Sequence, residues 1–478
     1  MTDQQTTTNA SAHDAATETA GDAVALNSNR STTPNSTAFQ EFITTGWAER
    51  VEELPEPRAA AAYTVARRER LSAAHPGERL VIAAGDPKVR SNDTDYPYRA
   101  HTAFAYLTGW GSDTVPSSVL VFEPTTSGHE VTLYFREGAG RDTTEFYANP
   151  AIGEFWTGPR PSLRQVAADL GIATESLSKF ESRRGDLELT DPKLAQEVSE
   201  ARLVKDACEI DEMRGAIEAT ARGFDDIIRE LDRATGHRRG ERIIEGVFAA
   251  RARLEGNDVG YGTIAASGPH ACILHWTDND GAVRPGELVL VDAGVEADSY
   301  YTADITRTLP IDGKFTEVQR RVYEAVLKAA DAAFAIVKPG ITFRQVHETA
   351  LASIAQTLSE WGVLPMSLEE ALKPDNQPHR RYMVHGTSHH LGLDVHDCAQ
   401  ARREMYLDGT VAAGMVFTIE PGLYFQPDDL TVPEEFRGIG VRIEDDILVT
   451  ETGAENLSAA IPRTADEVEE WMRRVREA

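Results

Sequence analysis

Two aspartates flank a turn-like segment in the second half of the chain. Asp292 ends the apolar run LVLV, Asp304 lies in TADITRT, and both are equally far in sequence from Asp298. A hairpin that closes at Asp298 would place the two carboxylates directly opposite each other, close enough to share one cation. The alternative is a strand-end acid that caps a helix beside an unrelated surface acid, and the residues favour neither reading.

Histidines are concentrated in one stretch of the chain. Five of the thirteen lie there, namely His379, His385, His389, His390 and His396. Neutral imidazole is the commonest metal ligand in proteins and shuttles protons near neutral pH. A lone histidine in such a sequence would be a hydrogen-bonded core residue. The clustering indicates a site, although no spacing matches a zinc motif such as HExxH.

Two glutamates lie at the edges of further apolar strand sequences. Glu420 follows the run MVFTI, and a glutamate that ends a buried strand needs a cation or a hydrogen-bond donor nearby. Glu444 lies in GVRIEDD, where strand alternation places it on the same face as Arg442. A solvated ion pair between Arg442 and Glu444 is the alternative for that strand.

These residues together offer four carboxylates and an imidazole. An oxygen-rich set of this kind suits two hard divalent cations, and it favours manganese, cobalt or iron over a thiolate-bound structural zinc. Two metal ions a few ångström apart can hold a bridging hydroxide and polarise a carbonyl group. The residues by themselves therefore predict a dinuclear metallohydrolase and leave its substrate open.

The elements that must position these side chains divide into a tail and two domains. Residues 1–38 are small and polar without apolar periodicity, which predicts a disordered tail. Residues 39–200 alternate apolar strands (80–83, 119–122, 131–135) with helical stretches such as 59–72, which predicts an α/β domain. Residues 201–478 contain an amphipathic helix face at 224–231, helices at 322–337 and from Thr342, and strands at 288–291, 416–419 and 441–443. This mixture predicts an α+β domain.

The composition excludes several classes of protein. A formal net charge of -29 over 478 residues argues against nucleic acid and anionic membranes as partners. The three cysteines, Cys208, Cys272 and Cys398, form neither a disulfide framework nor a CxxC site, which favours a reducing compartment. No apolar run could span a bilayer, and no secretory signal is recognisable. We therefore expect a cytoplasmic enzyme.

Five separated motifs resemble those of the pita-bread metallopeptidases, the family that includes aminopeptidase P, prolidase and methionine aminopeptidase. They are ILHW at 273–276, the DAG and ADITRT segments, HGTSHHLGLDVHD at 385–397, TIEPGLY and GVRIEDD. The segments RSND, YPYR and FAYLTG resemble the first domain of bacterial aminopeptidase P. The resemblance implies an α/β, creatinase-N-like N-terminal domain followed by an α+β pita-bread catalytic domain. Two departures are the polar tail and one extra residue between Asp292 and Asp304.

The resemblance also implies a role for each matching residue. The implied metal ligands are Asp292, Asp304, His389, Glu420 and Glu444, of which Asp304 and Glu444 bridge two ions. The implied catalytic residues are His275, His385, His396 and Glu420, with His275 and His396 on the scissile carbonyl and oxyanion and Glu420 passing a proton to the leaving nitrogen. The implied substrate contacts on the proline side are Arg442, Tyr424 and Trp156.

The activity that follows is release of the N-terminal residue from peptides with proline in second position. Two divalent ions per subunit are expected, manganese first, with cobalt, zinc or iron as alternatives. Relatives assemble as dimers or tetramers, so a homo-oligomer is expected. Prolidase, restricted to Xaa-Pro dipeptides, shares the ligands, but YPYR and FAYLTG favour the enzyme for longer peptides. Creatinase shares the fold but lacks the metal ligands, and methionine aminopeptidase lacks a first domain of this type. A non-catalytic peptidase-like binding module would have lost metal ligands that this chain keeps.

Overall fold

Two compact units make up the part of the chain that is described. The structure, a computed structural model, describes residues 32–34, 36–92 and 94–478. The smaller unit contains the described residues up to Glu53 together with Glu137–Ser162, and the larger unit contains Leu54–Arg136 and Leu163–Ala478. Most of the predicted tail lies outside the described residues, and its last two residues, Thr37 and Ala38, belong to the first helix. The predicted domain boundaries stay a prediction.

The helices begin and end where the local sequence caps them. Helix α8 starts with a capping box formed by Asp206 and Glu209, and α10 starts earlier than expected because Thr316 and Gln319 form another. The helices of the described residues are α1 (Thr37–Thr44), α2 (Ala61–Ala74), α3 (Thr102–Thr108), α4 (Glu145–Ala148), α5 (Glu154–Thr157), α6 (Leu163–Leu170), α7 (Pro192–Ala201), α8 (Ala207–Thr235), α9 (Gly240–Glu255), α10 (Glu317–Ala335), α11 (Phe343–Glu360), α12 (Leu368–Ala371) and α13 (Ala465–Glu477).

The strands fall close to the apolar runs from which they were predicted. They are β1 (Leu80–Ala83), β2 (Val89–Ser91), β3 (Thr94–Asp95), β4 (Val119–Thr125), β5 (Gly128–Phe135), β6 (Ala173–Ser176), β7 (Leu187–Glu188), β8 (Asp258–Val259), β9 (Ile264–Ser267), β10 (Leu288–Ala293), β11 (Val295–Glu296), β12 (Ile305–Pro310), β13 (Val416–Ile419), β14 (Gly422–Tyr424), β15 (Gly440–Arg442), β16 (Asp445–Val449) and β17 (Ala454–Asn456).

A mixed five-stranded sheet organises the first half of the larger unit. Its order is β6-β5-β4-β1-β7, with antiparallel pairs in the centre and parallel pairs at both edges. Leu80, Leu120 and Leu133 are fully buried in the core beside it. Strands and helices alternate along this part of the chain, as the predicted α/β organisation requires.

Short antiparallel sheets carry the acidic residues of the second half. The orders are β12-β10-β9 and β13-β16-β17, with the two-stranded ribbons β8-β11 and β14-β15. Helix α8 buries the predicted apolar face, with Phe224, Ile227, Ile228 and Leu231 all inaccessible to solvent. No helix of the described residues is long and apolar enough to cross a bilayer.

The β10–β12 hairpin forms, but its pairing register differs by two residues from the predicted one. Asp292 pairs with Thr306 rather than with Asp304. The turn closes through Ala297 N–H to the Tyr301 carbonyl at 2.9 Å, and Tyr300 adopts a left-handed φ of 73°. A three-residue loop whose last residue is left-handed shifts the centre of the hairpin. Asp304 is therefore a diagonal neighbour of Asp292 on the same face.

A fully buried arginine joins this hairpin to the neighbouring sheet. The Arg307 guanidinium donates to the carbonyls of Glu444 at 2.7 Å and Pro462 at 2.9 Å, and to Asp445 Oδ1 at 2.8 Å. Burial alone would raise the pKa of Asp445, but Arg307 and Arg463 outweigh it and hold that pKa below its usual value. The carboxylate is thus ionised, and its charge is balanced inside the protein.

Replacing this arginine tests how strongly the two sheets depend on it. Arg307→Met is expected to lower the free energy of unfolding by about 3–5 kcal/mol, because it removes one of the two arginines that compensate the buried Asp445 carboxylate and leaves the carbonyls of Glu444 and Pro462 without their donor. Urea unfolding followed by tryptophan fluorescence measures the change. Arg233→Met, which removes an exposed arginine paired with Glu230, is the control and is expected to unfold like the wild type. Equal effects of the two substitutions would contradict the prediction.

Candidate metal centre

A cavity of about 700 Å³ in the larger unit collects most of the residues that the sequence singled out. Its apolar wall includes Ile264, Leu274 and Val395. Its polar wall contains His275, Asp292, Asp304, His385, His389, His396, Glu420, Arg442 and Glu444. Residues far apart in sequence therefore face one space, as a ligand-binding site requires.

The hairpin supplies the first two carboxylates. Asp292 lies in β10, and Asp304 comes directly before β12. The Tyr261 hydroxyl lies 2.7 Å from Asp292 Oδ1 and 2.5 Å from Asp304 Oδ1, and its single proton can be donated to only one of them at a time. Tyr261 thus links the two diagonal aspartates across the hairpin face.

The two glutamates come from the neighbouring strands. Glu420 directly follows β13, and its N–H donates to the Thr387 carbonyl at 2.8 Å. Glu444 lies between β15 and β16, where its N–H donates to the Thr306 carbonyl at 3.1 Å. The Thr306 hydroxyl donates to Glu444 Oε2 at 2.6 Å. Since Thr306 faces Asp292 in the ladder, these bonds fix Glu444 beside the aspartates.

His389 lies among the carboxylates. Its Nε2 is 3.2 Å from Asp304 Oδ2 and 3.8 Å from Glu420 Oε1. Burial opposes protonation, but the hydrogen bond and charge of Asp304 raise the pKa of His389 to about 9. Ligand atoms of Asp304, His389 and Glu444 all lie within 4.8 Å of one another. This trio is the tightest potential metal-ligand group among the described residues.

Burial and mutual repulsion disfavour ionisation of the acids. Burial raises the pKa of Glu420 to about 7, although His389 and Arg442 oppose the shift. Burial, followed by the charges of Asp304 and Glu420, raises the pKa of Glu444 well above its usual value. Burial also raises the pKa of Asp304, with Asp292 adding to it. The cavity thus holds more carboxyl groups than its own cations can keep ionised at neutral pH.

Arg442 contacts Asp292 rather than forming the solvated ion pair with Glu444 that the strand pattern allowed. Its Nη2 donates to Asp292 Oδ2 at 2.5 Å, its Nη1 to the Tyr424 hydroxyl at 3.0 Å and its Nε to the Thr306 hydroxyl at 3.1 Å. The guanidinium is buried. Each oxygen of Asp292 therefore has a protein donor within hydrogen-bond distance, Arg442 for Oδ2 and the Tyr261 hydroxyl, which Asp304 shares, for Oδ1.

The three candidate substrate histidines differ in exposure. His385 accepts or donates at Nε2 to the Tyr424 hydroxyl at 2.9 Å, and burial with the nearby Arg442 lowers its pKa to about 3. The exposed His396 packs edge-on against His389 with ring centres 4.4 Å apart. Burial of part of the ring and the charge of His389 lower the pKa of His396. His275 is exposed at the rim of the cavity.

Two histidines of the cluster do not line the cavity. His390 is buried and stacks on Phe343 with ring centres 4.7 Å apart, and burial lowers its pKa to about 3. His379 is also buried, and burial lowers its pKa. Both are core residues, so clustering in sequence overstated the number of histidines at the site.

The two aromatic candidates have different surroundings. Tyr424 contacts the cavity residues His385 and Arg442 through its hydroxyl. Trp156 lies in α5 of the smaller unit, is exposed, and donates its indole N–H to the Tyr147 carbonyl at 2.7 Å. Its contact with substrate stays a prediction.

Sequence reasoning missed two residues at this site. Tyr261 lies between two glycines in a segment without strand or metal signature, so nothing in its local pattern indicated the contact with both aspartates. Asp446 is fully buried, its Oδ2 accepts from the Asp304 N–H at 3.2 Å, and its Oδ1 has no hydrogen-bond partner. The EDD run contained Asp446, but a strand pattern alone does not show which acid is buried deepest.

Comparison with known proteins decides the family. The sequence model of "Metallopeptidase family M24" matches residues 211–451, about half of the chain. "Xaa-Pro aminopeptidase 1" of Streptomyces coelicolor is 50% identical over 455 residues, which cover 90% of this chain and 91% of that protein. The chain belongs to metallopeptidase family M24. The model "Aminopeptidase P, N-terminal domain" matches residues 64–191, so the M24 domain follows an N-terminal domain of the aminopeptidase P type.

Solved structures confirm the expected fold. Aminopeptidase P from E. coli in its low-pH form superposes with a TM-score of 0.74 and 30% identity, covering 88% of this chain and 100% of that one. The "Xaa-Pro aminopeptidase" of Escherichia coli K12 is 33% identical, over 83% of this chain and 94% of that protein. The second half of the chain is therefore a pita-bread catalytic domain, and the protein is a metal-dependent hydrolase.

The residues of the cavity fit the divalent metal ions that family M24 implies. The donor set is rich in carboxylate oxygen with one imidazole, which hard divalent ions prefer. The raised pKa values of Glu420 and Glu444 show that the buried acids lack enough positive charge. The unpaired Asp446 Oδ1 lies behind the same group. A divalent cation would supply the missing charge.

Without metal, the folded state is expected to lose stability between pH 4.5 and 9. The folded protein keeps a proton on Glu420 up to about pH 7 and on His389 up to about pH 9, whereas the unfolded chain releases these protons near pH 4.5 and 6.5. The folded state thus binds more protons, and this contribution to stability declines as pH rises. Unfolding temperatures of chelator-treated protein at pH 5, 7 and 9 measure it.

Glu420→Gln provides the comparison, because it removes the glutamate proton and leaves His389 in place. The unfolding temperature of the metal-free wild type minus that of metal-free Glu420→Gln is expected to fall from pH 5 to pH 7. A difference that stays constant, or that grows with pH, would show that Glu420 is not held protonated in the folded site.

Proposed function

We propose that this chain is an Xaa-Pro aminopeptidase that releases the N-terminal residue from peptides with proline in second position. The observation that carries the proposal is a single cavity that is lined both by the Asp304–His389–Glu444 trio and by the three histidines to which the motifs assign substrate contact. These are His275, His385 and His396. The 50% identity to the Streptomyces enzyme supports the same activity.

The proposed metal ligands are the five residues implied by the motifs. Asp292, Asp304, His389, Glu420 and Glu444 would hold two divalent ions, manganese first, with cobalt, zinc or iron as alternatives. Bound there, the ions supply an activated water and a Lewis acid for the scissile carbonyl. Asp292 would exchange at least one of its protein hydrogen bonds, to Arg442 or Tyr261, for a metal bond.

The chain's own residues orient the peptide and move the proton. Glu420, whose carboxylate oxygens lie 3.6 Å from His385 Nδ1 and 3.8 Å from His389 Nε2, takes a proton from the attacking water and delivers it to the leaving proline nitrogen. That nitrogen carries no hydrogen in an Xaa-Pro bond, so it cannot leave as an amine without one. His275 and His396 donate to the scissile carbonyl oxygen and to the oxyanion that develops there.

The proline side of the cavity is formed by the His385, Tyr424 and Arg442 network. The Tyr424 hydroxyl accepts from Arg442 at 3.0 Å and contacts His385 Nε2 at 2.9 Å. Each of the three is therefore held by another, which keeps the wall rigid around the flat, conformationally restricted proline ring. Trp156 is proposed as a further aromatic contact of the substrate.

The alternatives fit less well. A prolidase would act on Xaa-Pro dipeptides alone, yet the relatives that cover most of this chain are named Xaa-Pro aminopeptidases. A non-catalytic binding module has no need to keep a group of buried, mutually repelling carboxylates. We further propose a cytoplasmic homodimer or homotetramer that has peptides, rather than nucleic acid or membranes, as its partners.

Hydrolysis of an Arg-Pro-Pro tripeptide tests the activity directly. Free arginine is expected from manganese-loaded protein and not from a chelated sample, because the metal ions supply the activated water. Chromatography of the products measures it. The N-acetylated tripeptide is expected to resist cleavage, since the substrate's free amine would be recognised at the metal site. Cleavage of Arg-Pro but not of Arg-Pro-Pro by metal-loaded protein would replace the proposal with the prolidase alternative.

Metal content tests the ligand assignment without relying on turnover. Asp304→Asn is expected to bind at least one metal ion fewer per chain than the wild type, because Asp304 is assigned to both ions. Mass spectrometry of the dialysed protein counts the ions. The matched control is Asp298→Asn, which changes an exposed aspartate at the tip of the same hairpin. Unchanged stoichiometry in Asp304→Asn would refute the bridging role.

A further inference from the structure

The loop that carries His275 has little regular structure of its own. Residues 267–281 run from the last residue of β9 toward β10, and after Ser267 they form neither helix nor strand apart from a 3₁₀ turn over Gly268–Cys272. His275 is exposed at the rim of the cavity, so packing around its own side chain does not fix it. A donor that must meet a developing oxyanion needs a backbone held to within a fraction of an ångström.

One buried carboxylate outside the cavity binds both ends and the middle of this loop. Glu241, in the first turn of α9, has no solvent-accessible surface. Its Oε1 accepts from Ser267 N–H and from His270 Nδ1, each at 2.8 Å. Its Oε2 accepts from Trp276 Nε1 at 2.8 Å and from Gly281 N–H at 2.6 Å. All four partners of the carboxylate belong to the loop.

Close packing around Glu241 leaves the loop at residues 267–281 no room to shift relative to the carboxylate. A Cβ at Gly281 would lie 2.6 Å from Glu241 Oε2 and 2.6 Å from the His270 ring, so only glycine fits there. The rings of His270 and Trp276 stack with centres 3.9 Å apart. The backbone N–H of Glu241 also donates to the Gly281 carbonyl at 3.2 Å.

A second buried side chain fixes the far end of the loop to the sheet. Asn279 is inaccessible to solvent and has a left-handed φ of 46°. Its Oδ1 accepts from Ala265 N–H at 2.9 Å, and its Nδ2 donates to the Thr263 carbonyl at 2.8 Å. The amide thus hydrogen-bonds along the edge of β9 as a neighbouring strand would, and the loop is closed at both ends.

The energetics of burial make this arrangement specific. A carboxyl group without solvent is strongly unfavourable unless its oxygens find hydrogen-bond partners. The donors of Glu241 are present only when residues 267, 270, 276 and 281 occupy their places together. The carboxylate therefore selects one loop conformation, and Trp276, whose indole it binds, directly follows His275.

We infer that Glu241 is a positioning residue that holds His275 in place by fixing the loop at residues 267–281. The inference rests on the proposed Xaa-Pro aminopeptidase activity, in which His275 contacts the substrate. Glu241 itself lines no part of the cavity and acts only through the loop.

Glu241→Gln is the direct test, because it preserves the shape of the side chain and replaces one carboxylate oxygen, which accepts two hydrogen bonds, by an NH₂ group. In either amide orientation, the NH₂ group faces two N–H donors of the loop. We expect kcat on Arg-Pro-Pro to fall roughly 10- to 100-fold with a much smaller change in KM, as a displaced catalytic donor requires. In a His275→Ala background, the same substitution is expected to cost less than about threefold, because the residue it positions is gone.

Hydrogen exchange of the loop gives a readout that does not depend on activity. Peptides spanning residues 267–281 are expected to exchange faster in Glu241→Gln than in the wild type. Asp429→Asn is the matched control, since Asp429 is also buried and accepts four hydrogen bonds, from Arg381 and Thr431, in a loop without catalytic residues. Neither kcat nor exchange at 267–281 is expected to change in it.

The outcomes separate the inference from the proposed function. Equal losses with and without His275, or full activity in Glu241→Gln, would overturn the positioning role. An inactive wild type would refute the proposed function alone, and the exchange comparison would still decide whether Glu241 holds the loop. Should Glu241→Gln not fold, Trp276→Phe is the second variant, because it removes the indole N–H that Glu241 accepts and keeps an aromatic ring. Its effect on kcat is then compared with and without His275→Ala in the same way.

Discussion

The repulsion among buried carboxylates is the constraint on which the rest of the catalytic half depends. Asp304, Glu420 and Glu444 face one cavity, and burial together with their mutual charges raises the pKa of each. His389 and Arg442 balance only part of that charge. A fold that keeps these acids together at a cost in stability must recover it from a bound cation, and a divalent cation is the most compact source of positive charge.

The backbone holds the acids together because each lies in a strand or directly beside the end of one, in a fixed register. The β10–β12 ladder places Asp292 opposite Thr306, and Thr306 binds Glu444 through both its hydroxyl and its carbonyl. Arg307, the next residue, carries the same connection into the core through Asp445. Thr306 thus organises the site and Arg307 anchors the strand in the core, because successive side chains of a strand point to opposite faces.

Much of this arrangement could be predicted from the sequence, and the failures have physical reasons. Apolar runs that end in an acid predicted the strand ends around the cavity. The predicted hairpin register was wrong by two residues because Tyr300 adopts a left-handed φ, a conformation uncommon for a tyrosine and therefore without a sequence signal. Tyr261 and Glu241 were missed because their partners lie far away in sequence, and an isolated polar residue does not show what it will meet after folding.

Anomalous diffraction from crystals soaked in manganese tests the central claim, that the buried carboxylates exist to hold divalent ions, most directly. Data collected above and below the manganese edge would locate each ion without reference to activity. The account predicts two peaks, enclosed by Asp292, Asp304, His389, Glu420 and Glu444. Peaks elsewhere on this acidic protein with none among these five residues would contradict it.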